Sequence, residues 1–463
     1  MEGTPGDDQM SDLEALMWNL EKDPRLSSTM GNVTFFDVEP DIERFRSTLE
    51  RASVVFPRLR QRVNPIFGRL APPRWELDPD FDLDHHFRVI TLGGRGTRRD
   101  VDDLVAQLIT APFDRRRPLW EFVAVTGLRG GRAAMIQRLH HTITDGQGGL
   151  KLSLEFIDFE RDAPQRPTVP APAATAAESS LIGDVTDAVG HVMRRQLGMA
   201  HRALTGSFSA ITHPGSLVRD AVATTDTVAS IAKQANVGDR PLSPLWTDRS
   251  LSRAYRRLDV NLKRTRTVAK RFGVSINDIF VAGTLLGAAA YHREFGTAAE
   301  SLRMAMPISQ RTSSSLGNNL FAPSQSVLPA TVETPSEAIA AVHSVLEVTK
   351  AARALGATEA LAGVANLLPT SLVTRAGFRI ASTIDFVTSN LRAAPFDTYM
   401  AGALMESNYP IGPLMGAAFN VTTMSFHGQL NMGVIMDTAA IAEPDLLIDC
   451  LARAFRATLA QTR

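Results

Sequence analysis

A run rich in Pro, Ala and Ser, APQRPTVPAPAATAAESS at 163–180, splits this chain into two stretches that share one pattern. On either side of it, strand-like and helix-like signals alternate. That alternation makes a sheet layered with helices, and one long interruption makes two such units instead of one. The run itself reads as a linker or crossover loop. Leu181 to about Gln234 reads as mostly helical, with a break at THPGS (212–216). At 463 residues, two domains is also the natural size. The chain is therefore expected to divide into 1–162, 163–245 and 246–463: two α/β halves joined by a long helical connection.

In the first half, Ser11–Leu20 is expected to form an amphipathic helix, with Ser11 as N-cap and Glu14 closing a capping box. GNVTFFDVE (31–39) reads as a strand, 41–63 as a helix and FRVITL (87–92) as a strand. Residues 98–113 read as a helix, with Val101, Leu104, Val105 and Leu108 on one face. WEFVAVTGL (120–128) and RAAMIQRLHH (132–141) read as two strands around RGGR, followed by a helix over Leu150–Phe159. In the second half, RAYRRLDVNL reads as a strand and RTRTVAKRFG as a helix.

Composition narrows the function. Lys+Arg and Asp+Glu are both 49, so nothing drives the whole chain toward nucleic acid. Cys450 is the only cysteine, which excludes an internal disulfide and a thiolate metal cluster. MEGTPGDDQM at the start is acidic and polar, unlike a signal peptide. The longest apolar run, near Ile279–Tyr291, is too short to span a bilayer. A cytoplasmic protein that can lie on a membrane without crossing it is expected.

The stretch QRLHHTITDGQGG (137–149) carries the candidate chemistry. Neighbouring side chains on a strand point to opposite faces, so His140 and His141 cannot both face one cavity. One packs and the other is left to work. Gly146 permits a sharp turn, and a helix starting there would aim its positive end at the site. Three readings stay open: a polar turn, a metal site, and a general base. The metal reading is weak, because adjacent histidines diverge and no H-x-x-x-H spacing supports them. No G-x-S-x-G elbow is present, so a serine acyl-enzyme has no support.

HHTITDG matches the H-H-x-x-x-D-G signature of the acyltransferases that use CoA or a carrier protein. More of the chain resembles one branch, the bacterial wax ester synthase/diacylglycerol acyltransferase family. The resemblance is carried by WELDPDFDLDHHFRVITL (75–92), by Pro118-Leu119-Trp120-Glu121, and by Asn277-Asp278. MPISQRTSSSLGNNL (306–320) and MSFHGQLNMGVIMD (424–437) extend it, so that it covers roughly 10–460 in consistent order. One departure is TSNLRAAPF (388–396): Thr388, Ser389 and Asn390 match, but the family's Pro-Gly-Pro is absent. Those positions bear on acceptor and chain-length preference.

The resemblance implies an α/β (α+β) fold of two chloramphenicol-acetyltransferase-like domains with the active-site channel at their interface. It implies that His141 takes the proton of an acceptor hydroxyl as that oxygen attacks the thioester of acyl-CoA. The acceptor would be diacylglycerol or a long-chain alcohol, with no covalent acyl-enzyme, no bound cofactor and no metal. His140 would pack behind His141. Asp145 would form a structural ion pair with Arg311, and Gly146 would keep the channel clear. Asn277 would either support the site or, with Ser275, open a helix. Pro118 and Trp120 read as strand-start packing, and His85-His86 as a half-exposed strand edge.

Residues 249–271 hold nine basic residues and one acid, Asp259. They read as a solvated face, or as a patch for CoA phosphates or anionic headgroups, and not as a nucleic-acid site. A second membrane contact would be the apolar stripe Leu181, Ile182, Val185, Val189, Val192 and Met193. The expected workplace is the cytoplasm, peripheral to the inner membrane or lipid droplets. Two rival functions remain: acyl transfer from a carrier protein to a polyketide or peptide, and a non-catalytic lipid binder on the same fold.

Overall fold

The computed structural model describes residues 9–65, 72–144, 146–170, 240–309, 321–351, 366 and 369–461. Asp145, Arg311 and the connection 181–234 lie outside the described residues. The first half holds α1 (Asp12–Leu20), β1 (Thr29–Phe36), α2 (Ile42–Val55), β2 (Gln61–Asn64), β3 (Arg74–Leu77) and β4 (Phe87–Thr91). It continues with α3 (Arg98–Thr110), β5 (Trp120–Leu128), β6 (Arg132–His140) and α4 (Gly146–Phe156). The second half begins with β7 (Arg253–Asn261), α5 (Leu262–Phe272), α6 (Ile276–Glu294), β8 (Ser301–Ser309), β9 (Phe321–Pro329) and α7 (Pro335–Ala351). It ends with α8 (Thr370–Ala381), β10 (Phe386–Arg392), β11 (Tyr399–Met400), β12 (Ala403–Ile411), β13 (Phe419–Phe426), β14 (Gln429–Asp437) and α9 (Pro444–Leu459).

Local signals place most of these elements. Ser11 caps α1, accepting from the Glu14 amide at 3.2 Å, while the Glu14 carboxylate accepts from the Ser11 amide at 2.8 Å. In β5 and β6, alternate residues enter different cores. Phe122, Ala124, Ala133 and Met135 pack on the α1 and α2 side. Val123, Val125, Ala134 and Ile136 pack with Val101 and Val105 of α3. A sheet covered on both faces needs strands that are apolar throughout.

The two largest differences from expectation are helix boundaries. The helix expected over 41–63 stops at Val55, because Pro57 cannot continue it. A short 3-10 turn, Pro57–Arg60, and then β2 take up the rest. The helix expected from Leu150 begins at Gly146. Three glycines in its first turn hid it, since each costs about 1 kcal/mol against alanine in a helix.

Each half has a six-stranded sheet, ordered β11-β12-β1-β6-β5-β4 and β7-β14-β13-β10-β8-β9. Membership does not follow the division of the chain at 246. β12, late in the second half, pairs antiparallel with β1 in the first-half sheet, Val33 opposite Tyr409. It also lies close on β14, where a Cβ added to Gly433 would sit 1.9 Å from the Pro410 carbonyl oxygen. Only glycine leaves room for the two backbones to approach. Several polar groups at this crossing are paired: Asn32 donates to Asn408 at 2.9 Å, and Tyr409 and Asn431 both donate to Asp259. Beside it, Arg257 of β7 clasps Asp102 of α3 at 2.5 and 3.1 Å.

Among the described residues no single helix is long and apolar enough to cross a membrane. The apolar helix α6 meets α5 at a 100° bend and is almost wholly buried.

Candidate active site

His140 is the last residue of β6 and His141 the first beyond it, beside the end of β1, where Thr29 stands opposite His140. The His140 amide donates to the Leu119 carbonyl at 2.9 Å, and its own carbonyl accepts the Ile143 amide at 2.9 Å, which turns the chain. The His141 amide donates to the Ser28 carbonyl at 3.1 Å. His140 is fully buried, whereas His141 is part-exposed.

The His140 ring is gripped at both nitrogens. Nδ1 lies 2.7 Å from the Thr142 hydroxyl and accepts the Thr142 amide at 3.2 Å. Nε2 lies 2.9 Å from a Glu21 carboxylate oxygen. The edge of Trp18 meets the ring at 6.4 Å between centroids.

Glu21, at the C-terminus of α1, was not singled out by its sequence context. Its other oxygen accepts the Ser27 hydroxyl at 2.7 Å and the Ser28 amide at 3.0 Å. Arg115 lies 3.5 Å away and covers the Trp18 ring at 4.0 Å. Burial pushes the Glu21 carboxyl up. The His140 imidazole beside it, then the Ser27 and Ser28 donors, outweigh it and hold the group at about 2.

Pro118-Leu119-Trp120-Glu121 supports the histidines from the next strand. Leu119 supplies the carbonyl that His140 binds. Trp120 is buried, donates to the Leu59 carbonyl at 2.7 Å and stacks on His86 at 4.4 Å, so it packs as expected. Glu121 forms a buried pair with Arg138 at 2.6 Å, directly across the β5–β6 ladder. His86 is not at a half-exposed strand edge. It follows a 3-10 turn, is buried against Phe81 and Trp120, and has its pKa lowered by that burial. Its neighbour His85 is exposed.

In the second half, Ser275 rather than Asn277 caps α6, with Asp278 closing the capping box. The Asn277 amide reaches the Met306 sulfur of β8 at 3.4 Å. Thr388 of β10 is buried against the Met304 sulfur. Gly146 opens α4, which carries the chain away from the site. A cleft of about 730 Å³ is walled by Lys22, Arg25, Leu251, Arg375 and Phe378; His141 is not on its wall. Of the basic stretch, Arg249, Arg253, Arg256 and Arg257 are turned inward or into ion pairs. Lys263, Arg264, Arg266, Lys270 and Arg271 of α5 stay exposed.

Residues 10–280 match the model of the wax ester synthase/diacylglycerol acyltransferase catalytic domain, and 317–458 match the C-terminal domain of the same family. The chain belongs to the wax ester synthase/diacylglycerol acyltransferase family. It is, by that membership, an acyltransferase. A Mycobacterium tuberculosis protein named "putative diacylglycerol O-acyltransferase" is 32% identical over 98% of this chain and 92% of its own length. A second one from that organism is 28% identical over 94% and 93%. Among solved structures, the wax ester synthase/diacylglycerol acyltransferase of Marinobacter aquaeolei VT8 shares the fold with a TM-score of 0.66. It is 20% identical, covering 98% of this chain and 99% of that one. The first condensation domain of the calcium-dependent antibiotic synthetase shares it too, at TM-score 0.60 and 15% identity, over 99% and 97%. The two-domain α/β fold expected from the sequence is the fold found.

Proposed function

We propose that this chain is an acyl-CoA-dependent O-acyltransferase that passes a long-chain acyl group to diacylglycerol, a long-chain alcohol, or both, with His141 as the general base. The observation that carries this reading is the contrast within the histidine pair: His140 is sealed and held, while His141, just beyond the strand, is part-exposed. His141 takes the hydroxyl proton as the acceptor oxygen forms its bond to the thioester carbonyl carbon. The carbonyl π pair moves onto oxygen, then returns and breaks the C–S bond. The thiolate of CoA leaves and takes the proton from the imidazolium. Positioning and proton transfer carry the step, without an acyl-enzyme. By the family's pattern, Asp145 and Arg311 would pair beside the channel, Gly146 would keep it open, and Asn277 would support the site from the second half.

The substrates are apolar, and we place the enzyme at an anionic membrane or lipid-droplet surface, reached from the cytoplasm. The support is α5, which carries Lys263, Arg264, Arg266, Lys270 and Arg271 exposed, with no acid in its first turn. Two of these cations stand at the helix end where the macrodipole disfavours them. An anionic surface supplies the missing counter-charge.

The test is acyl transfer from palmitoyl-CoA, offered diacylglycerol, a long-chain alcohol and water separately. Ester formation with either lipid acceptor is expected. Turnover only from an acyl carrier protein, or none from any donor, would overturn the reading.

A further inference from the structure

Glu21 is an acid at the C-terminus of a helix, with no basic residue in that helix's last turn. A negative charge there opposes the macrodipole. Its compensation comes from the histidine pair and the turn beside it. One carboxylate oxygen faces Nε2 of His140 at 2.9 Å; the other accepts the Ser28 amide at 3.0 Å. Ser28 in turn gives its carbonyl to the His141 amide at 3.1 Å. Both histidines are therefore tied to one side chain that precedes them by more than a hundred residues.

We propose that Glu21 is a positioning residue for acyl transfer, acting on His141 through the buried ring of His140 and through the backbone of Ser28. The proposal rests on His141 being the base. The Thr142 amide points at Nδ1 of His140, so Nδ1 is the acceptor and Nε2 carries the hydrogen on the Glu21 side. This fixes the ring in one tautomer and one orientation. Residues 140–143 form a single turn closed by the Ile143 amide on the His140 carbonyl. Holding His140, Thr142 and the His141 amide holds the Cα from which the working imidazole extends. A base displaced by an ångström loses about a hundredfold in rate. The carboxylate also has the sign that favours the imidazolium formed on proton uptake. The other groups facing Glu21 are Arg115, at 3.5 Å, and the hydroxyl of Ser27, itself 2.9 Å from the Thr29 hydroxyl.

Glu21→Gln keeps the size of the side chain and removes its charge. In folded protein, kcat is expected to fall by about 10- to 100-fold, with KM for palmitoyl-CoA little changed. The acidic limb of the kcat–pH profile should move to lower pH. An unchanged kcat and an unchanged profile would overturn the proposal, because a merely structural role moves neither in folded protein. A readout independent of turnover is the set of imidazole ¹⁵N resonances of His140 and His141. Both should shift in Glu21→Gln, and an unmoved His141 overturns the positioning role. Were wild type to acylate no hydroxyl acceptor, the assigned reaction would fail while these resonances still decide the role of Glu21. If Glu21→Gln does not fold, Glu21→Asp carries the same measurements: the charge is kept but shortened, so lowered kcat and moved His141 resonances are expected, and wild-type values overturn the proposal.

Discussion

Arg257→Met should loosen the join between the halves more than any exposed charge change. The Arg257 guanidinium meets Asp102 at 2.5 and 3.1 Å, donates to the Arg98 carbonyl, and lies 4.6 Å over the Phe35 ring and 5.0 Å from the Tyr409 ring. Little of either side chain is exposed, 13% for Arg257 and 6% for Asp102. Removing the cation strands the Asp102 carboxylate, and a broken buried pair costs about 3–5 kcal/mol. Asp102 already shows the strain: burial raises its pKa despite Arg257, whereas Arg257, whose own burial works against its charge, is raised by the bond to Asp102. An acid raised in the fold binds more protons folded than unfolded, so its penalty grows as pH rises through the folded value. Without Arg257 that value climbs further. The deficit against wild type should be full at neutral pH and shrink as pH falls toward the carboxylate range. Denaturant unfolding of both proteins across pH 5–8 measures it, and Asp102→Asn with Arg257→Met should cost less than the sum of the two alone. A deficit under about 1 kcal/mol at neutral pH, or additive losses, would refute the assignment of a stranded buried charge.

Four further outcomes are expected. His141→Ala should lower specific activity by about 10²–10⁴-fold with the fold kept, while His140→Ala should chiefly lower stability and yield; His140 proving the more essential in folded protein would reverse the assignment. Asp145→Asn and Arg311→Met should each reduce folded, active protein, and the double variant should be milder than their sum, as a pairing requires. Gly433→Ala should cost more than the usual 1–3 kcal/mol, roughly, of an overpacked core, because its new Cβ meets backbone; an unaltered thermal melt would contradict the close crossing. Flotation with liposomes should need anionic lipid, fade with salt and weaken in Arg266→Glu/Lys270→Glu, whereas salt-insensitive binding would move the contact away from α5.

The elements around the histidines were legible because their causes are local. Ser11 and Glu14 sit three apart and close the same capping box in any tertiary setting. β5 and β6 announce themselves by continuous apolar runs around a glycine turn. The helix misjudged past Val55 and the one begun at Gly146 show the limit of the same logic: Pro57 overrode an apolar period, and packing overrode three weak helix formers. The rest came from surfaces meeting at long range. Nothing in ALMESNYPI states that β12 will leave its own half and pair with β1, since the partner strand is far off in sequence and the register is set by the two cores it seals. The inward arginines of 249–257 have the same composition as the exposed cations of α5; only the carboxylates and carbonyls brought to them tell the two apart. Glu21 is the sharpest case. In sequence it is an ordinary residue closing a helix, and it acquires a role only when folding delivers His140, Ser28 and Arg115 to its carboxylate. Pattern along a chain reports how a residue fits its near neighbours, but the field and donors around a buried charge are assembled from distant segments, and those exist only in the tertiary structure.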